Sequence, residues 1–265
     1  MNANAANKFF SGQYAEAAEA IDSHDAARLS SALKGLDPDA PGREHMTLLW
    51  YAIQKKNYPA IQALVQAGSR VDQQAVENLG SPLQFALMDK DLHLLSAMLD
   101  GGLSPDWHDA DGANLLQLVM KSDHAFDAVK LLVERRANVN QRDGIGGSAL
   151  DEAVDTLQPD IAMYLIEHGA DANGHMNNGS STAWAVQQTI SRLNPQAAGA
   201  SVTDLSTDKN GQPVATKQPQ SAPGATAEGQ EQLQKFEQLR ALMAAKGARF
   251  PADPPAKVRE QMRQK

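Results

Sequence analysis

Histidine can act in both acid–base catalysis and metal binding. The spacing of the histidines in this sequence indicates neither a catalytic site nor a metal site. No two histidines stand in the His-Glu-x-x-His arrangement that places a pair of metal ligands on one helical face. One of them directly precedes Gly169, a position that suits the C-terminus of a helix, where the dipole favours a cation. The seven are scattered as His24, His45, His93, His108, His124, His168 and His175.

Two other segments resemble chemical motifs but lack part of each. Residues 144–149, Gly-Ile-Gly-Gly-Ser-Ala, formally match the Gly-x-Gly-x-x-Ala pattern of dinucleotide sites, which needs a buried strand before it. The polar residues 138–143 precede it instead, so the segment predicts a turn. The acidic segment 106–112 fails as a calcium loop, because Trp107 occupies the place of the first ligand.

Composition removes further classes of function. The absence of Cys excludes thiol nucleophiles, disulfides and Cys-based zinc sites. With 24 Lys and Arg against 32 Asp and Glu, the net charge is −8, which argues against a nucleic-acid partner, since phosphate binding needs clustered positive charge. We therefore expect a protein that is not an enzyme and that uses neither a metal nor a cofactor.

The sequence also predicts no membrane span, because no apolar run approaches the roughly 18 residues required. The first eight residues contain no apolar stretch of the kind found in a signal peptide. Two compartments stay open: the periplasm if a signal peptide was removed, and the cytoplasm otherwise.

An internal repeat is the strongest signal in the chain. Related helix-like segments begin at Thr47, Ser81, Asn114, Ser148 and Ser181. A second series, out of phase with the first, consists of Gly35, Gly68, Gly102, Arg136 and Gly169. Both series have a period of 33 to 34 residues, which is typical of stacked supersecondary units.

Each repeat has the composition of a helical hairpin. A Ser or Thr begins the first helix by accepting hydrogen bonds from free backbone N–H groups, and the Gly ends the second helix in the left-handed conformation. Arg136 stands in the Gly series, so it must either adopt that conformation at a cost or distort the end of the helix. We expect Arg136→Gly to stabilise the protein if φ of Arg136 is positive.

The pattern resembles the ankyrin repeat, Thr-Pro-Leu-His-x-Ala followed by a second helix and Gly-Ala-x-x-Asn. Residues 81–83, Ser-Pro-Leu, and residues 169–173, Gly-Ala-Asp-Ala-Asn, match it most closely. The resemblance implies an all-α solenoid of about six helix–turn–helix units. It also implies that the solenoid functions by binding other proteins. The sequence departs from the pattern at the His position, so we expect the usual hydrogen bonds between repeats to be lost; the residues there are Trp50, Gln84, Gln117, Asp151 and Trp184.

The ends of the array predict one ankyrin-repeat domain over residues 1–250 and a tail over 251–265. A degenerate repeat, residues 9–45, shields the first hairpin, and regular repeats begin at about 46, 80, 113, 147 and 180. Residues 195–229 lack an aromatic residue and an amphipathic period, so we expect a mobile insertion that splits the last repeat. A closing helix over 231–247 completes that repeat, and the tail is either a short helix or disordered.

Two sets of residues are candidates for partner binding. The first is the column that the ankyrin resemblance places on the concave face: Tyr51, Phe85, Leu118 and Glu152. Three large apolar residues in such a column indicate either a docking surface or packing against neighbouring helices. The second set lies at the tips of the connectors: Arg70, Trp107, His108, Arg142 and His175. Trp107 at a polar position indicates either a partner contact or an indole that covers the adjacent tip.

The function that follows is capture of a protein partner on the concave face and connector tips. Chains with one ankyrin stack and no catalytic domain are similar to bacterial immunity proteins that inhibit secreted toxins, including phospholipase effectors of type VI secretion. The acidic balance is suited to a basic effector surface. The alternatives are a scaffold or host-directed effector with several partners, and an enzyme with an unrecognised site.

Overall fold

The computed structural model describes residues 5–73, 80–194, 205–207, 213–215 and 226–264. It is built from helices, apart from a 3₁₀ turn at Arg43–His45 and two three-residue strands, β1 (Leu205–Thr207) and β2 (Pro213–Ala215), which pair antiparallel. The helices are α1 (Ala5–Phe9), α2 (Gln13–Asp22), α3 (Ala26–Ala32), α4 (Leu48–Gln54), α5 (Tyr58–Gln66), α6 (Pro82–Met88), α7 (His93–Asp100), α8 (Leu115–Val119), α9 (Ala125–Glu134), α10 (Ala149–Asp155), α11 (Pro159–Glu167), α12 (Thr182–Leu193), α13 (Ala227–Ala245) and α14 (Pro255–Arg263).

The first helix of each regular repeat begins where the sequence predicts. The side chains of Thr47, Ser81, Ser148 and Ser181 accept hydrogen bonds from the backbone N–H three residues later. Asn114 does the same for Gln117 at 3.1 Å. These bonds satisfy N–H groups that a helix start leaves open, which is why a local signal was sufficient to place all five starts.

The second helices end in the left-handed conformation. Gly68, Gly102 and Gly169 have φ values of 101°, 111° and 95°, and a Cβ at these three positions would meet nothing within 4 Å. The constraint there is the backbone angle and not crowding. Arg136 has a φ of 67° and is exposed, so the conformation expected of it is present.

Arg136→Gly is therefore expected to raise the free energy of unfolding by about 0.5 to 1 kcal/mol, because Gly adopts a positive φ without the steric cost of a Cβ. Urea denaturation measures the change. Gly169→Ala is the matched control: it places a Cβ at the equivalent position and is expected to destabilise the protein. A lower stability for Arg136→Gly would contradict the prediction.

The chain divides into two compact units, Met1–Asp109 with Leu118–Asn138 and Ala110–Gln117 with Val139–Lys265. In the first unit α2 packs on α3 and α4, α4 on α5, and α5 on α7. Its core combines the aromatic side chains of Trp50 and Tyr51 with the fully buried aliphatic side chains of Ile21, Leu29 and Leu64. A single ankyrin domain over residues 1–250 stays a prediction.

In the second unit α10 packs on α11 and α12, and α13 packs on both α11 and α12. The closing helix is longer than expected, since it begins at Ala227. The predicted mobile insertion, residues 195–229, lies outside the described residues except for β1, β2 and the start of α13. The tail forms a short helix, α14, whose Arg259 Nη1 donates to the carbonyl oxygen of Asn178 at 2.7 Å.

Hydrogen bonds between repeats are present at two of these positions, Gln117 and Asp151, so the expectation that they are lost is wrong there. The Gln117 amide nitrogen donates to Asp143 Oδ2 at 2.9 Å, and Thr182 Oγ1 donates to Asp151 Oδ1 at 2.5 Å. Gln117 and Asp151 thus supply an amide and a carboxylate at the position where the ankyrin pattern has a histidine. They can replace the imidazole because a polar side chain of suitable length can link the hairpins from this position.

The connectors add a second set of bonds with the period of the repeat. Asp39 Oδ1 accepts the backbone N–H of Arg70 at 3.0 Å, and Asn140 Oδ1 accepts that of Asp171 at 2.8 Å. Asp106 Oδ1 accepts the N–H of Asn138 at 2.6 Å.

No helix in the described ranges is both long and apolar enough to cross a membrane.

Candidate functional site

Tyr51 does not present its ring to solvent, so its expected exposure on the concave face is wrong. It is 1% exposed. The rings of Phe9 and Phe10 pack edge to face against the Tyr51 ring, with centroid separations of 6.2 and 5.6 Å. The Tyr51 hydroxyl donates to the Asp22 carboxylate at 2.8 Å. Burial, and then the bond to Asp22, raises the pKa of Tyr51, so the hydroxyl stays a donor. Helix α1 covers the position, and Tyr51 is a packing residue.

Phe85 and Leu118 lie where a partner can reach them. Phe85 is 42% exposed. Its ring packs edge to face with the ring of Trp50, with the centroids 5.6 Å apart. Leu118 in α8 is half-buried, and Glu152 in α10 of the second unit is also half-buried. Phe85 and Leu118 therefore remain candidates, while Tyr51 does not.

Sequence reasoning missed the most exposed apolar side chain of this region. Met88 lies three residues after Phe85 on α6, on the same side of the helix, and is 82% exposed. We call Phe85, Met88 and Leu118, with the half-buried Leu87, the α6 apolar surface. Extending the helical period from Phe85 by one step would have found Met88, but its exposure depends on what the neighbouring repeat leaves open.

A shallow cavity of about 230 Å³ opens beside Met88 in the first unit. Leu87, Met88 and Lys90 at the end of α6 form one wall. Leu118 and the α8–α9 connection form the other, with Lys121, Ser122, Asp123 and His124. Such a volume is below the roughly 300 to 1,000 Å³ of small-molecule sites, which favours contact with a protein over a bound metabolite.

The tips of the first unit carry three of the predicted residues. Arg70 is exposed and its Nε donates to Asp39 Oδ2 at 3.0 Å. Trp107 is half-buried and His108 is exposed, so the indole is neither fully covered by the adjacent tip nor fully free.

The tips of the second unit carry Arg142 and His175, both exposed. Arg142 Nη1 donates to the carbonyl oxygens of Gly146 at 2.7 Å and His175 at 3.1 Å, so it links two successive tips. Ile145, which directly precedes Gly146 in the first of these tips, is 64% exposed, and sequence reasoning missed it. The tips of the second unit thus expose the apolar side chain of Ile145 and the guanidinium of Arg142, whose orientation is fixed by two backbone carbonyl oxygens.

The described residues offer little catalytic chemistry. No group of three His, Asp or Glu among them could hold a metal ion. One cluster of polar side chains surrounds Asp91. Its carboxylate accepts the backbone N–H of His93, contacts the imidazole ring of His93, and accepts from the Tyr58 hydroxyl at 2.9 Å. Bonds from the His93 backbone and side chain lower the pKa of Asp91 to about 2. The Asp91 carboxylate is therefore ionised at neutral pH, and it accepts the backbone N–H of His93, the first residue of α7.

The chain has the fold of an all-α ankyrin solenoid. Residues 83–175 match the family model of ankyrin repeats, in three copies. The solved ankyrin-repeat domain of Bcl-3, a member of the IκB family, superposes with a TM-score of 0.50 over 83% of this chain and 97% of that one, at 20% identity. At that identity the likeness concerns the fold alone.

Curated relatives agree with this assignment. The ankyrin repeat protein YahD of Escherichia coli is 28% identical over 141 residues, which cover 51% of this chain and 70% of YahD. An ankyrin repeat protein of Acanthamoeba polyphaga mimivirus is 28% identical over 136 residues, 49% of this chain but 18% of the viral protein. The chain thus spans less than a fifth of that relative. Ankyrin repeats are typically protein–protein interaction modules without enzymatic activity, and residues 83–175 of this chain match them.

Proposed function

We propose that this protein captures one protein partner on the α6 apolar surface, with the connector tips as secondary contacts. The observation that carries the proposal is the exposure of Met88 and Phe85, 82% and 42%, on adjacent turns of one helix. Exposed apolar side chains that form a contiguous patch mark interaction sites, and Met and aromatic residues are enriched in interfaces. The candidates for further polar contacts are the connector tips, with Arg70, Trp107 and His108 in the first unit and Arg142 and His175 in the second.

The partner class we propose is a secreted toxin, with this chain acting as its immunity protein or inhibitor. The support is the resemblance to bacterial single-stack ankyrin proteins of this kind and the net charge of −8, which would speed association with a basic effector. A phospholipase effector is the specific candidate.

The direct test is co-expression of this chain with the product of the adjacent gene, followed by calorimetric measurement of Kd. The double variant Phe85→Ser and Met88→Lys is expected to weaken binding about 100-fold, because two exposed apolar anchors of an interface commonly supply this much. Met262→Lys is the matched control, since Met262 on α14 is also exposed, at 37%, and lies outside the proposed surface.

No binding at micromolar concentration would contradict partner capture by this route. Equal binding by the double variant would contradict the α6 apolar surface as its location. If the adjacent product is a phospholipase, its activity should fall when this chain is added in equal amount; unchanged lipid hydrolysis by the complex would overturn the inhibitor function alone.

A further inference from the structure

The cavity beside Met88 combines apolar walls with free positive charge. Leu87, Met88 and Leu118 supply the walls, and Lys90 and Lys121 are exposed at its edge. The lysines that form ion pairs in the described ranges are Lys55, Lys130, Lys235 and Lys257, so the two at the cavity are not among them. Asp123 is the one carboxylate among the lining residues.

The size of the cavity restricts its occupant. A cavity of roughly 150 Å³ admits a group as large as benzene, and this one measures about 230 Å³. It can therefore hold one aromatic or branched aliphatic side chain. The thioether of Met88 adapts its shape to such a group more readily than a branched residue would.

The charge of the edge restricts the residues on either side of that side chain. The residues that line the cavity carry two lysines against one aspartate, in a chain whose net charge is −8. A carboxylate placed there gains an opposite charge without breaking an existing ion pair in the described structure, whereas a basic side chain meets repulsion.

We infer that this cavity binds an apolar side chain from an acidic segment of the partner, an inference that rests on the proposed function. The apolar side chain enters between Met88 and Leu118, and carboxylates beside it in the partner sequence pair with Lys90 and Lys121. A toxin with a basic surface elsewhere can still offer one acidic segment here, so the inference specifies the local contact and not the charge of the whole partner.

The test uses short synthetic peptides and the full chain labelled at the methionine methyl groups. One peptide has a central Leu flanked by Glu, a second replaces the Leu with Ser, and a third replaces each Glu with Lys. The first peptide is expected to shift the Met88 methyl resonance in a saturable manner, and its binding should weaken as salt rises. Weaker or undetectable shifts are expected for the other two.

Lys90→Glu with Lys121→Glu is expected to weaken binding of the first peptide about tenfold, as two exposed charge pairs can do. Lys34→Glu with Lys246→Glu is the control with the same change in net charge; both residues are exposed and outside the cavity. Equal binding of the Glu and Lys peptides, or no effect of reversing Lys90 and Lys121, would overturn the inference.

The outcomes separate this inference from the proposed function. If the protein partner binds and depends on Phe85 and Met88 but not on Lys90 and Lys121, the function stands and the acidic segment is wrong. If the Glu peptide binds at Met88 and no protein partner is captured, the cavity chemistry stands and the proposed function is wrong.

Discussion

Replacing Phe236 with Ala is expected to lower the free energy of unfolding by about 4 kcal/mol, the usual cost of emptying a buried Phe site. Phe236 is 0% exposed, as are Leu239 and Met243 on the same side of α13. This helix packs on α11 and α12, although 33 residues, 194–226, separate it from the end of α12. The substitution therefore tests whether the helix beyond the insertion is an integral part of the last repeat.

The measurement is urea denaturation of the full chain followed by far-ultraviolet circular dichroism. Gln238→Ala is the control on the same helix; Gln238 is exposed, and the change is expected to stay within about 0.5 kcal/mol. A loss below about 1 kcal/mol for Phe236→Ala would contradict the packing, because surface substitutions alone reach that range.

The second large effect is expected for Asp151→Ala, at about 3 kcal/mol. Asp151 is 6% exposed. Its Oδ2 accepts from the backbone N–H and the hydroxyl of Ser148 at 2.9 and 2.7 Å, and its Oδ1 accepts from Thr182. Removing the carboxylate leaves these buried donors without their acceptor, which costs more than the bonds themselves contribute.

A double-mutant cycle with Thr182→Val isolates the link between the two repeats. Valine keeps the shape of threonine but removes the hydroxyl, so each single variant loses the Thr182–Asp151 bond. The coupling free energy is expected to be about 1 to 2 kcal/mol. Additive effects of the two substitutions would show that the bond does not stabilise the junction.

Local chemistry explains why much of the fold could be predicted. A cap such as Ser81 acts on N–H groups within three residues, and a positive φ such as that of Gly169 is set by the residue itself. Neither depends on the rest of the chain. The start of α13 was missed by four residues because Thr226 accepts from the N–H of Gly229, in a segment whose composition suggested an unstructured chain.

The candidate site was less predictable because exposure is a property of neighbours. Tyr51 and Phe85 occupy equivalent positions one repeat apart, yet one is buried and the other is not. Phe9 at the end of α1 and Phe10 directly after it, some 40 residues earlier in the sequence, cover Tyr51. The exposure of Met88 likewise depends on how far Leu118 and the α8–α9 connection extend over it.

The amino-acid sequence alone therefore determined the period, the helix ends and the class of repeat, since each follows from interactions within a few residues. The tertiary structure decided which apolar residues of that array meet solvent and which polar residues join its hairpins. The physical reason is packing: equivalent positions in successive repeats acquire different neighbours, as the buried Tyr51 and the exposed Phe85 show.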